Sequence, residues 1–216
     1  NEKRNGVIYL SKIESLVDSS NHLFAQQLLE IASKWIVSDN PSYVGSGIAA
    51  IKKLLPILSE QSKLDIFKTI HLIIRNSKEK DVVIICSKTL TAFLRNSDGK
   101  LLVEMAKLGY EICIAYIKGE LQILFNVPPL GNDIDLMIFY ALSTLLSELL
   151  RMPCDEIRAF VQFAFTIVEQ NNHHFETDII LMMLSSGIKY GSFNQEEIQK
   201  ISQLALSFFI DDIPTE

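Results

Sequence analysis

Asp81-Val82-Val83-Ile84-Ile85-Cys86-Ser87-Lys88-Thr89-Leu90-Thr91-Ala92-Phe93-Leu94-Arg95 is the stretch on which the fold turns. Its opening β-branched residues, 82–85, would suit a strand. The run continues without a turn signal to Leu94, however, in a frame far longer than a strand. Apolar positions Val82, Val83, Cys86, Leu90 and Leu94 recur at helical steps. A polar turn, Asn76-Ser77-Lys78-Glu79-Lys80, precedes it and a break, Asn96-Ser97-Asp98-Gly99, follows. The segment reads as a helix.

The same periodicity extends in both directions. Val7, Leu10, Ile13, Leu16 and Val17 mark a first short helix, and Leu23, Leu28, Ile31, Ala32, Trp35 and Ile36 a longer amphipathic one. Asn40-Pro41 ends it, and Ser42 opens a helix with apolar Val44, Ile48, Ile51, Leu54, Leu55 and Leu58. Ser62-Lys63-Leu64-Asp65 is an S-x-x-D start before Ile66, Phe67, Ile70, Ile73 and Ile74. On the far side, Leu101, Met105, Leu108, Ile112 and Tyr116 keep register from Lys100 to Lys118. Val127-Pro128-Pro129-Leu130-Gly131-Asn132 forbids helix. Helices resume over 133–150, 155–169, 175–189 and 194–210.

Alternate helices start near 22, 62, 99, 154 and 195, and the intervening ones near 42, 80, 134 and 175. Most steps within each set are about 40 residues, the period of HEAT and armadillo arrays. The longer step is accounted for by an insertion over 119–132. Asn40-Pro41-Ser42-Tyr43-Val44 followed by Ala49-Ala50 and Leu54-Leu55 resembles the second helix of a HEAT repeat. Asp81-Val82-Val83 with Cys86, Leu90 and Leu94 is similar, as is Asp133-Ile134-Asp135 with Ala141, Leu142 and Leu145. The basic residue that often follows the valine is missing. The resemblance covers about residues 20–210. It implies an all-α, right-handed α-solenoid of four to five antiparallel helix pairs, whose second helices line a concave face that holds other proteins. The units would be 21–60, 61–97, 98–152 with the insertion, 153–191 and a terminal helix 194–210.

The 216 residues are 48% hydrophobic and 21% charged, with nine glycines and six prolines, which excludes a disordered or low-complexity chain. Net charge is −6. Residues 1–108 carry 15 basic and 11 acidic side chains, whereas residues 109–216 carry 5 and 15. An acidic chain is not a general nucleic-acid binder, although the basic first half leaves a chromatin- or RNA-associated module as the alternative function. Cys86, Cys113 and Cys154 are odd in number and scattered, and no glycosylation sequon occurs, so an intracellular setting, cytoplasmic or nuclear, is expected. Leu136–Leu150, the longest apolar segment, carries Glu148 and is too short to span a membrane. The chain starts without methionine and lacks a signal peptide at Asn1-Glu2-Lys3-Arg4, and it reads as a piece of a longer protein.

No enzymatic motif emerges, and no cofactor or metal is expected. Gly45-Ser46-Gly47 lacks a phosphate-loop frame and suits close helix packing instead. His173-His174 point about 100° apart on a helix, unsuited to sharing one metal, and His71 reads as a helix-flank or core residue. The better candidates are surfaces. Opposite the apolar stripes, the second helices carry Ser46 and Lys53, Lys88 and Arg95, Tyr140 and Ser147, then Ser185 and Lys189. Each pair shares one helical side and together they would form a ladder across the concave face, basic at first and then neutral. The apolar insertion offers Phe125 and Leu130 as a lid or a partner contact. The expected partner is a protein, presented as a peptide or helix.

Overall fold

The computed structural model describes residues 22–38, 40–122, 133–150 and 193–211, together with single positions 162, 165, 166 and 185. Among them all regular structure is helical: α1 (His22–Ile36), α2 (Pro41–Leu54), α3 (Glu60–Asn76), α4 (Lys80–Arg95), α5 (Gly99–Ile117), α6 (Asp133–Leu149) and α7 (Gln195–Asp211), with one 3-10 turn at Leu55–Ile57. Val82–Ile85 lies inside α4, so helical length overrides its β-branched composition. The helix expected at Val7–Val17, the core of the insertion at 123–132, and nearly all of 155–169 and 175–189 lie outside the described residues.

Local chemistry sets the helix ends. Asn40 caps α2 by accepting the Ser42 amide on Oδ1 at 3.0 Å, with Pro41 at the first helical position, where its missing N–H costs nothing. α3 opens two residues before Ser62, because Ser59 Oγ accepts the Ser62 amide at 3.2 Å. The S-x-x-D pattern therefore falls within the first turn and is not the cap. α7 begins with a reciprocal capping box: the Asn194 amide donates to Glu197 Oε2 at 2.8 Å, and the Glu197 amide donates to Asn194 Oδ1 at 2.9 Å. α5 closes at Gly119, whose φ of +67° suits glycine. Gly119 N donates to Tyr116 O and Glu120 N to Ala115 O, the paired bonds of a Schellman end.

α1 packs on α2, α3 on α4, and α5 on α6; α2 also packs on α4, α4 on α6, and α3 on α5. The side chains that fill these seams are apolar and fully buried, among them Ile48, Ile51, Phe67, Ile70, Leu90, Phe93, Met105, Ile112 and Leu145. Phe67 and Phe93 meet edge to face between α3 and α4, ring centres 6.0 Å apart. α1 and α2 approach so closely that a Cβ at Gly47 would lie 2.8 Å from the Ala32 carbonyl oxygen. Close packing is thus the role of that glycine.

Named contacts also fix helix direction. Lys63 Nζ, in the first turn of α3, donates to Asn96 O just past the end of α4, at 3.0 Å. With the Phe67–Phe93 contact, this makes α3 and α4 antiparallel. The early turns of α2 and α4 lie side by side, since a Cβ on Gly45 would touch Ile85 Cδ1 at 3.6 Å. The last turns of α4 and α6 are joined by Arg95 and Glu148. Hence α2, α4 and α6 run in a common direction.

Candidate functional site

The outward side of α4 follows directly from its sequence. Asp81, Ile85, Lys88 and Arg95 are exposed and Ala92 half-buried, an alternation of four and three residues that stays on one helical side. The corresponding stripe of α6 is Met137, Tyr140, Thr144 and Ser147, and that of α2 is Ser46, Ala49, Lys52 and Lys53. Because α2 packs on α4 and α4 on α6, these stripes adjoin on one surface.

That surface brings together much of the expected ladder. Lys53 and Lys88 are exposed, as is Tyr140 at 54%. Ser46 and Ser147 are half-buried, and each donates its hydroxyl to a carbonyl one turn earlier, Ser42 O at 2.9 Å and Ser143 O at 2.8 Å. Their hydroxyls are therefore engaged within their own helices. Ser185 is exposed. Lys189, Phe125 and Leu130 lie outside the described residues, as do His173, His174 and Cys154.

Arg95 has a structural duty as well. Its Nε and Nη2 both reach Glu148 Oε1, at 2.7 and 2.6 Å. The Glu148 carboxylate is buried, its side chain 8% exposed, while the guanidinium remains half in solvent. A carboxylate taken out of water needs such a charge-assisted partner. In sequence the signal was present as a lone charge within the apolar run Leu136–Leu150, but nothing in the sequence paired it with Arg95.

Sequence reasoning passed over two exposed apolar side chains on this surface, Ile85 at 37% and Met137 at 47%. Ile85 was hidden in the β-branched run, and only the helical phase, four residues after Asp81 and three before Lys88, turns it outward. Along the common direction of the helices, Ile85 stands level with Gly45 of α2. Met137 and Tyr140 occupy the early and middle turns of α6. Lys52 and Lys53 lie in the last turn of α2, and Lys88 lies one turn beyond Ile85. The surface thus carries Ile85 and Met137 nearer the helix starts, Lys88 and Tyr140 at mid-helix, and Lys52 and Lys53 at the end of α2. Asp81 is the exposed acid on the α4 stripe, at its very start.

Between α3 and α5, His71 is buried at 5% exposure, with Nε2 3.2 Å from Glu111 Oε2 but off the line of a directed hydrogen bond. Arg75 Nη1 stands 4.0 Å from the same oxygen. Burial holds the His71 pKa below the ordinary imidazole value; Glu111 opposes the shift and Arg75 adds to it. A ring so enclosed has no access to a substrate, and its role is in packing. Cys86 and Cys113 are free, buried thiols whose pKa burial pushes up, that of Cys113 to about 12, which keeps them as inert hydrophobes. Among the described residues no cluster of three or more His, Cys, Asp or Glu side chains is arranged to hold a metal ion, and no helix is long and apolar enough to cross a membrane. No protein-family model, curated protein or solved structure matches this chain.

Proposed function

We propose that this chain is a protein-interaction scaffold, built as a HEAT- or armadillo-like α-solenoid and acting without catalysis. The observation that carries the reading is the order of packing. Successive helices join as α1–α2, α3–α4 and α5–α6, and helices two apart also pack, α2 on α4, α4 on α6 and α3 on α5. Stacked helix pairs produce that order, each pair burying its apolar faces against the next. An array of this kind leaves one side of its second helices as an extended surface, here the stripes of α2, α4 and α6. The free, buried cysteines accord with an intracellular setting.

The test is capture of partners from cell lysate by the purified chain, compared with a Lys53→Glu, Lys88→Glu double variant. Arg95 is left intact, because its reversal would set two carboxylates together beside Glu148. The expected result is a defined set of proteins retained by the parent chain and lost by the variant. Retention of the same set by both would overturn the assignment of this face. Retention of nothing beyond an unrelated helical control would overturn the scaffold reading itself.

A further inference from the structure

We propose that the α3–α5 seam is an acid-sensitive joint: protonation of His71 loosens α3 from α5 while α2, α4 and α6 stay packed, so that the stack flexes at one place. Three side chains span this seam. His71 on α3 is 5% exposed, whereas Glu111 on α5 and Arg75, one turn further along α3, are half in solvent. Glu111 Oε2 stands 3.2 Å from His71 Nε2 and 4.0 Å from Arg75 Nη1, so one carboxylate oxygen faces both a ring and a guanidinium. His71 Nε2 itself is buried and makes no directed hydrogen bond.

Proton uptake upsets this arrangement. A neutral imidazole is tolerated among packed side chains, but an imidazolium taken out of water needs strong, well-directed compensation. Glu111 supplies only part of it. Water on its exposed half screens its charge, its oxygen lies off the line of a directed hydrogen bond to Nε2, and Arg75 opposes a second positive charge nearby. Among the described residues, the charges that act on the ring are these two, and none comes from α4, the other helix packed on α3. Lys68, three residues before His71, and Lys107, four before Glu111, are exposed cations and offer the ring no relief. Parting α3 from α5 hydrates the imidazolium, so acid favours the open seam.

The response is confined to this seam by where the histidines fall. His71 is the one histidine of residues 23–172, and histidine is the side chain whose ordinary pKa lies between pH 5 and 8. The seams of α2, α4 and α6 are closed largely by apolar side chains, with Arg95 and Glu148 joined at one end. Phe67 and Phe93 hold α3 on α4 independently of the ring. The proposal uses only this packing and is independent of the scaffold reading.

The experiment measures spin-label distances by pulsed electron resonance in the full 216-residue chain carrying Cys154→Ser, with buried Cys86 and Cys113 left in place. Labels at Lys68→Cys and Val103→Cys span α3–α5, and labels at Lys88→Cys and Thr144→Cys span α4–α6; all four positions are exposed. From pH 7.5 to about 5, the ratio of a longer to the shorter α3–α5 distance should rise at least about fivefold. The α4–α6 distance and the far-ultraviolet circular dichroism should stay unchanged. His71→Gln should abolish the rise, Glu111→Gln should enlarge it by removing the one compensating charge, and Arg75→Gln should diminish it. Distances that ignore pH, a change in both label pairs, loss of helix at acid pH, or a rise that persists in His71→Gln each overturn the proposal.

Discussion

The two outward sides of this helical stack are built on different terms. On α1, α3 and α5 the side-chain contacts between charged groups lie largely in solvent: Lys34 bonds Glu30 at 2.8 Å within α1, and Arg75 faces Glu111 across the α3–α5 seam. On α2, α4 and α6, lysines stand beside exposed Ile85, Met137 and Tyr140, and a carboxylate, Glu148, is buried against Arg95. An exposed pair gains little by meeting, since water serves both partners, whereas a buried carboxylate depends on its cation. The basic residues of the first half of the chain therefore matter one by one, according to what each meets, and not as a sum.

The comparison can be broken most severely at the seam that keeps the two sides apart. Phe67→Ala removes a fully buried ring that meets Phe93, and should cost about 4 kcal/mol in urea unfolding. Both sides should lose structure together, so a variant destabilised by less than about 1 kcal/mol would mean that the α3–α4 seam does not organise them. Next in size is Gly47→Ala. The added methyl meets the backbone oxygen of Ala32, which cannot swing aside, and a loss of about 2 kcal/mol is expected. At Gly109 the corresponding obstacle is the flexible end of Leu149, so Gly109→Ala should cost less than Gly47→Ala in the same measurement.

The contrast between the sides is sharpest in their arginines. Arg95→Ala strands the buried Glu148 carboxylate and should destabilise by about 2 kcal/mol, allowing for the half-exposed guanidinium. Arg75→Ala, whose partner is 4.0 Å away and half exposed, should cost under about 0.5 kcal/mol. Equal losses in paired denaturation curves would erase the distinction. The smallest effect is a pH dependence. His71 has its folded pKa depressed by burial, so the unfolded chain binds the proton more readily. Its contribution is intact above the unfolded value of about 6.5 and declines as pH falls below it, down to the folded pKa. The slope of stability against pH from 7.5 to 5 should flatten in His71→Gln, and an unchanged slope would assign the dependence to other groups.

Helix content was legible because each stripe repeats over three or more turns, so α1 to α6 could be placed to within a few residues. Their ends were less so: Ser59 and Ser62 are both plausible caps in sequence, and only the Ser59 hydroxyl meeting the Ser62 amide decides between them. Lys53, Lys88 and Tyr140 were legible as surface because their phase opposes the apolar stripe. Ile85 and Met137 were not, since an apolar residue within a helix is assigned inward by default, and its exposure depends on which side a neighbouring helix takes. The Arg95–Glu148 pair joins residues far apart in the chain across a seam that periodicity within either helix does not encode.

The stretch Asp81–Arg95 forms most of α4, and α4 is packed on α2, α3, α5 and α6 at once. Each of those neighbours is one or two helices away in the chain, so α4 is enclosed by contacts of modest sequence separation, at small entropic cost. An amide in the middle of α4 reaches water only when helices on several sides have opened, whereas among the described residues α1 is packed mainly on α2. Deuterium should therefore enter the chain from its margins and reach the amides around Cys86 to Leu90 last, as the slowest-exchanging positions of the fold.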